Sequence, residues 1–256
     1  MTADQKAERR LIVALDMPDA AQAYDFWQRL AIPNAVCKIG LELLMAGGVE
    51  LVRKLASSGV SVFVDAKLFD IGNTVERATA RVADLGAAFL TVHAQDRQTL
   101  EAAVRGRAGS ALKLLGITLL TSANPRDLSE QGITLTSRDL VLQRASFAAD
   151  AGFDGVVSSA WEARDLKATF GERLALVCPG IRLTAEGVTG DDQARTATPG
   201  DALRAGADYI VVGRPIIRAR DPSAAARAII AEMATALREL RASDLDGRVT
   251  PGHDNA

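Results

Sequence analysis

The sequence predicts a single-domain α/β fold of the (β/α)8 TIM barrel class, and three observations lead to that prediction. Eight short apolar segments alternate with segments of helical periodicity along the 256 residues. Several of these segments are apolar on both faces, as in parallel strands covered by helices. No linker, low-complexity run or shift in composition divides the chain.

A doubly wound open sheet is the alternative fold. That fold would be expected to carry a glycine-rich phosphate loop after an early strand. Neither GxGxxG nor GxxxxGKS/T occurs in the sequence, so the barrel is favoured.

The predicted strands are short aliphatic runs that stop at a charged residue, a histidine or a turn. The first is the run Leu-Ile-Val-Ala-Leu at 11–15, ended by Asp16, and the third ends at Asp65-Ala66. The eight predicted strands are 11–15, 35–39, 60–66, 88–93, 112–119, 155–158, 174–178 and 208–212.

The predicted helices lie between the strands and carry recognisable end signals. Asp19 is suited to cap the first of them, and Gly86 and Gly152 are suited to end later ones. The predicted helices are 20–30, 41–57, 74–85, 97–107, 137–151, 160–169, 199–205 and 222–241. We expect residues 1–10 to be a polar, frayed segment, 11–242 to be the catalytic barrel, and 243–256 to be a disordered tail.

Composition narrows the classes of function. Hydrophobic residues make up 48% and charged residues 24% of the chain, as in ordinary globular proteins. A net charge of -2 gives no electrostatic case for binding nucleic acid or an anionic membrane. The two cysteines, Cys37 and Cys178, and two histidines indicate neither a disulfide framework nor a metal site. The start has no apolar leader and no apolar run is long enough to span a bilayer, so we expect a cytoplasmic protein.

Three charged residues lie close together where the third strand ends, in the segment Asp65-Ala66-Lys67-Leu68-Phe69-Asp70. Alternate side chains of a strand share a face, so Asp65 and Lys67 are expected to point the same way. Opposite charges about 4 Å apart interact by about 4 kcal/mol at an effective dielectric near 20, which would keep a lysine charged as a proton donor. The alternative is a surface ion pair of little consequence.

Other strand ends carry candidate site residues as well. In a barrel, the carboxyl ends of the strands form one rim, and active sites lie there. Lys38 interrupts an apolar strand and needs either a partner or a route to solvent. His93 and the two cysteines are expected to be structural. The remaining rim candidates are Asp16, Thr121, Ser122, Pro179, Gly180, Gly213 and Arg214.

The segment Gly213-Arg214-Pro215-Ile216 after the eighth strand is typical of a phosphate site. Glycine lets the backbone amide approach an anion, and arginine can bind phosphate oxygens with two hydrogen bonds. The connection from Gly180 to Thr198 is long for a barrel and is either a lid or a tolerated insertion.

With these residues in view, the chain resembles the orotidine 5'-phosphate decarboxylase family from about Leu11 to Pro222. The family's DxKxxDI-xx-T pattern is matched by Asp65, Lys67, Asp70, Ile71 and Thr74. Further matches follow in the expected order: Asp16, Lys38, Thr121-Ser122, Pro179-Gly180-Ile181-Arg182, Gln193 and Gly213-Arg214-Pro215-Ile216. The chain departs from many bacterial members at Phe69, Gly72 and 94–97.

Relatives of that family share the DxKxxD element. They include 3-keto-gulonate-6-phosphate decarboxylase and hexulose-6-phosphate synthase, which use Mg²⁺ and have an acidic residue where Lys38 stands. Lys38 therefore favours the orotidylate reaction over a Mg²⁺-dependent sugar-phosphate lyase or aldolase. A phosphate-binding barrel without activity is a third hypothesis, against which the four rim charges argue.

The resemblance implies the decarboxylation of orotidine 5'-monophosphate to uridine 5'-monophosphate, the last step of de novo pyrimidine nucleotide synthesis, without cofactor or metal. It implies that Lys38, Asp65, Lys67 and Asp70 form an alternating charge array. It implies a homodimer in which Asp70, Ile71 and Thr74 reach the partner's site. The implied substrate-binding residues are Asp16, Lys38, Ile71, Thr74, Thr121, Ser122, Pro179, Arg182, Gln193, Gly213 and Arg214.

Overall fold

The computed structural model describes residues 1–183 and 196–246 and contains a closed barrel of eight parallel strands, which confirms the predicted fold class. Each strand pairs with its neighbours in chain order, and β8 pairs with β1 to close the barrel. The strands are β1 (Leu11–Ala14), β2 (Val36–Gly40), β3 (Val62–Leu68), β4 (Phe89–His93), β5 (Lys113–Ile117), β6 (Gly155–Val157), β7 (Ala175–Cys178) and β8 (Tyr209–Val212). Every predicted strand is present with its ends shifted by two residues or fewer.

Helices follow the strands and cover the outside of the barrel. They are α1 (Ala3–Glu8), α2 (Ala20–Leu30), α3 (Leu41–Leu43), α4 (Val49–Ser57), α5 (Gly72–Asp84), α6 (Arg97–Gly106), α7 (Pro125–Glu130), α8 (Ser137–Ala151), α9 (Ala163–Phe170), α10 (Pro199–Arg204), α11 (Arg214–Ile217) and α12 (Pro222–Asp246). A π-helical turn, Leu44–Gly48, joins α3 to α4, and a 3-10 turn, Gly171–Arg173, follows α9. None of the helices in these described residues is long and apolar enough to cross a membrane.

The capping signals in the sequence act as predicted at two helices. The Asp19 carboxylate accepts hydrogen bonds from the backbone N–H groups of Ala21 and Gln22 at the start of α2. Gly152 ends α8 in the left-handed conformation, with φ of 88°.

The amino terminus differs from the frayed segment that its polarity predicts. Thr2 and Gln5 form a reciprocal capping box that starts α1, which buries Ala7 and packs against α12. The helix α12 also continues past Arg241 to Asp246, into the predicted tail. Residues 247–256, the rest of that tail, lie outside the described residues.

The interior of the barrel is filled by inward-facing side chains below the carboxyl ends of the strands. They form a separate buried cluster, the interior cluster, of Ile12, Val36, Phe63, Phe89, Leu115 and Val177. Bulky residues of this kind fill a barrel as a packed core. Residues two positions further along each strand therefore point inward at the carboxyl end.

Candidate active site

A cavity of about 580 Å³ opens at the carboxyl ends of the strands, above the interior cluster. Its lining combines charged residues with apolar ones, as substrate pockets do. Ten of the residues predicted for the site line it: Asp16, Lys38, Asp65, Lys67, Thr121, Pro179, Gly180, Arg182, Gly213 and Arg214.

The two-residue period of the strands explains why charges stand at the base of this cavity. Lys38 lies two residues beyond Val36, and Asp65 lies two residues beyond Phe63, so both follow an inward-facing residue of the interior cluster. Both are almost fully buried, with 7% and 8% of their surface exposed. A buried charge is stable only with a partner, and each has one.

Four side chains form a continuous line of alternating charge. The Asp65 Oδ2 atom lies 2.9 Å from Lys67 Nζ and 3.3 Å from Lys38 Nζ. The Lys38 Nζ atom also lies 3.3 Å from Asp16 Oδ1. The order is therefore Asp16, Lys38, Asp65, Lys67, and we call these four residues the charge array.

The array fixes the ionisation of its buried members. Burial alone would raise the pKa of Asp65, but Lys38 and Lys67 outweigh that effect and hold the pKa below its ordinary value. Burial alone would lower the pKa of Lys38, but Asp65 and Asp16 outweigh it and raise the pKa. Asp65 is therefore a carboxylate and Lys38 an ammonium at neutral pH.

The end of β3 is not a regular strand, so the predicted alternation is not what brings Asp65 and Lys67 together. The pairing with β4 jumps from Val64–Leu90 to Leu68–Val92, which is four residues on β3 against two on β4. Lys67 lies within this bulge and has a left-handed backbone, with φ of 47°. The ion pair was predicted correctly, but its geometry depends on the bulge.

Residues predicted to bind substrate after β7 and β8 line the cavity as well. They are Arg182 and the two predicted phosphate-site residues Gly213 and Arg214. A Cβ atom at Gly213 would lie 3.3 Å from Asp16 Oδ2 and 3.4 Å from the Ala14 Cβ. A side chain at position 213 would therefore crowd the acidic end of the charge array.

A family model covers most of the chain. Residues 9–229 match the model described as "Orotidine 5'-phosphate decarboxylase / HUMPS family". The chain belongs to this family.

Individual relatives agree with this assignment. A protein of Afipia carboxidovorans named orotidine 5'-phosphate decarboxylase is 52% identical over 227 residues, which is 89% of this chain and 95% of the relative. A protein of the same name from Methylobacterium sp. (strain 4-46) is 49% identical over 92% of this chain and 100% of its own length. The crystal structure of orotidine 5'-phosphate decarboxylase from Lactobacillus acidophilus superposes with a TM-score of 0.78 at 37% identity, over 87% of this chain and 98% of that one.

Five residues predicted for the site are not among those that line the cavity. Asp70, Ile71 and Thr74 lie beyond β3 with exposed side chains, and the Asp70 carboxylate accepts a hydrogen bond from the Ile71 N–H at 2.7 Å. Ser122 is exposed next to the lining residue Thr121. Gln193 lies outside the described residues, as does most of the long connection after β7.

The structure also adds residues to the site that the sequence analysis missed. Ser158 lines the cavity directly after β6, and its hydroxyl donates a hydrogen bond to the buried Glu162 carboxylate at 3.1 Å. Ser158 stands at the carboxyl end of the sixth predicted strand, so the rule that strand ends form the rim gives a signal for it. Glu42 lines the cavity from α3 and Arg218 from the turn after α11, and strand ends give no signal for either.

His93 and the cysteines stay outside the cavity, as expected of structural residues. The His93 ring packs edge-on against Phe69, with 6.0 Å between ring centres. Both cysteines are fully buried, and burial raises the pKa of Cys178 to about 12. Among residues 1–183 and 196–246, no three His, Cys, Asp or Glu side chains are grouped as metal ligands would be.

Proposed function

We propose that this protein decarboxylates orotidine 5'-monophosphate to uridine 5'-monophosphate and CO2. The observation that carries the proposal is the charge array at the base of the cavity, in a chain that belongs to the orotidine 5'-phosphate decarboxylase / HUMPS family. The array supplies an ammonium beside the space where a substrate would lie.

The chemical difficulty of this reaction is the electron pair that CO2 leaves behind. When the bond from C6 to the carboxylate breaks, both electrons stay on C6 of the pyrimidine as a carbanion. In our proposal the Lys67 ammonium stabilises this charge as it develops and then donates its proton to C6. The net change is the loss of CO2 and the gain of one proton at C6.

Asp65 and Lys38 serve this step by holding Lys67 in place. The Asp65 carboxylate contacts the Lys67 ammonium, and Lys38 keeps Asp65 ionised from the other side. This arrangement is organised before substrate binds, which is the condition under which electrostatic stabilisation is most effective. Asp65 also places negative charge near the substrate carboxylate, which would favour its departure.

The rest of the cavity is proposed to bind the nucleotide. Asp16 and Lys38 would contact the ribose hydroxyls. Thr121 and Ser122 would contact the pyrimidine, with Ser122 turning inward when substrate is present. The phosphate would be held by Gln193, Arg214 and the Gly213 amide, and Pro179 and Arg182 would make further contacts with the substrate.

We also propose that the active form is a homodimer. Phe69 and Ile71, which flank Asp70 after β3, have 55% and 72% of their surface exposed, and Leu41 and Met45, which follow β2, have 49% and 83% exposed. Exposed large apolar side chains after two neighbouring strands are suited to contact a second protein surface. A second copy of the chain would cover them and bring its Asp70, Ile71 and Thr74 to the site.

The reaction is tested by following the ultraviolet absorbance of orotidine 5'-monophosphate with purified protein in excess EDTA. We expect loss of substrate and an equal yield of uridine 5'-monophosphate. A folded protein that leaves this substrate intact but converts ketose phosphates when Mg²⁺ is added would instead be a sugar-phosphate lyase or aldolase.

A further inference from the structure

A single hydroxyl group joins the two members of the charge array that lie on β3. Thr91 on β4 is fully buried. Its Oγ1 atom donates a hydrogen bond to Asp65 Oδ1 at 2.8 Å and accepts one from the Lys67 N–H at 3.0 Å. A hydroxyl has one donor and two acceptor sites, so both bonds can exist at once.

The hydrogen bond from the Lys67 N–H lies at a residue with an unfavourable backbone conformation. A residue other than glycine in a left-handed conformation costs about 1–2 kcal/mol, so φ of 47° at Lys67 persists only if its surroundings hold it. Residues 65–67 lie in the bulge and outside the regular register between β3 and β4. Within the bulge, the Thr91 hydroxyl accepts a hydrogen bond from the Lys67 N–H.

With the hydrogen bond from Thr91, both oxygens of the Asp65 carboxylate have partners. Asp65 Oδ2 faces both lysine ammonium groups, while Oδ1 receives the Thr91 hydroxyl. The carboxylate is therefore held on both sides and cannot rotate without losing one of these contacts. Thr91 does not line the cavity, so it acts through Asp65 and Lys67 rather than through substrate.

We infer that Thr91 is a positioning residue for the reaction: it sets the direction of the Lys67 ammonium and of the Asp65 carboxylate together. This inference rests on the proposed function. Misplacement of a reacting group by about 1 Å can cost 10²-fold in rate, so loss of the hydroxyl should act on kcat. Substrate affinity should change little because the Thr91 hydroxyl bonds to none of the residues proposed to bind the ribose or the phosphate.

The test compares four proteins: wild type, Thr91→Val, Thr91→Ser and Thr118→Val. Valine keeps the volume of threonine and removes both hydrogen bonds, whereas serine keeps the hydroxyl. Thr118 is a matched control because it too is fully buried, and within the described part of the chain its hydroxyl bonds to the Val157 carbonyl alone, at 2.9 Å. We expect Thr91→Val to lower kcat by about 10- to 100-fold with KM nearly unchanged, and Thr91→Ser and Thr118→Val to stay near wild type.

A second readout does not depend on catalysis. Amide hydrogen exchange at Lys67 should be faster in Thr91→Val than in wild type, because its N–H loses its acceptor, and should be unchanged in Thr118→Val. Should Thr91→Val fail to fold, Thr91→Cys, whose thiol is a weak donor and acceptor, should show the same two effects to a smaller degree.

The inference is overturned if kcat of Thr91→Val stays within about twofold of wild type, if Thr118→Val loses as much, or if serine fails to restore the rate. A wild type that does not decarboxylate orotidine 5'-monophosphate would defeat the proposed function. In that case unchanged exchange at Lys67 in Thr91→Val would separately defeat the structural link.

Discussion

Mixing two inactive variants, Lys67→Ala and Asp70→Ala, is expected to restore about a quarter of wild-type activity if each site uses residues of both chains. The Asp70 side chain does not line the cavity of its own chain, and its neighbour Ile71 is 72% exposed. In a mixed dimer, one site would have both substitutions and the other would have Lys67 from one chain and Asp70 from its partner, both intact. Half of random dimers are mixed, and each has one competent site.

The experiment requires exchange of subunits, for example by unfolding and refolding the two variants together. Each variant refolded alone is the control and should remain inactive. Activity that stays at the level of the single variants in verified mixed dimers would show that Asp70 serves the site of its own chain. An Asp70→Ala protein with full activity would remove Asp70 from the mechanism altogether.

Asp65→Asn is expected to lower the free energy of unfolding by about 3–5 kcal/mol, the cost of breaking a buried ion pair by removing one partner. The substitution leaves two ammonium groups facing one another, with the half-exposed Asp16 as the remaining carboxylate of the array. Unfolding in urea at pH 7 measures the effect. Asp84→Asn is the control, because Asp84 pairs with Arg81 on the surface and both side chains are more than 60% exposed.

The stability difference between wild type and Asp65→Asn should depend on pH in one direction. The folded-state pKa of Asp65 is lowered by the two lysines, so its contribution to stability is present above the unfolded value of about 3.9. That contribution is lost as the pH falls through the folded-state pKa. The stability difference between wild type and Asp65→Asn should therefore shrink in acid, and a difference that stays constant down to pH 2 would contradict the account.

The fold was predictable because each strand carries its own signal. Runs such as Leu11–Ala14 and Tyr209–Val212 are apolar and end in turns or charges, and parallel strands of this kind close into a barrel. The amino-terminal helix was not predicted, because its only signal is the capping box between Thr2 and Gln5.

The site was predictable to the extent that it stands at strand ends. Asp16, Lys38 and Asp65 were found in this way, and the barrel brings them within ion-pair distance. The part played by Thr91 could not be found, because it depends on a bulge and on the left-handed backbone of Lys67, neither of which a single sequence reveals. Asp70, Ile71 and Thr74 were predicted only through the family pattern, because nothing in their own residue types indicates a role in a partner's site.

The most direct test of the central claim is the single-turnover rate of orotidine 5'-monophosphate decarboxylation in EDTA by wild type and by Lys67→Ala. General acid catalysis contributes about 10²–10⁴-fold and a preorganised charge about 10²–10³-fold, so we expect the rate to fall by more than about 10³-fold. Affinity for uridine 5'-monophosphate should be retained, and Lys113→Ala, an exposed lysine at the start of β5, should behave as wild type. A Lys67→Ala protein whose rate lies within tenfold of wild type would show that the proton and the electrostatic stabilisation come from elsewhere.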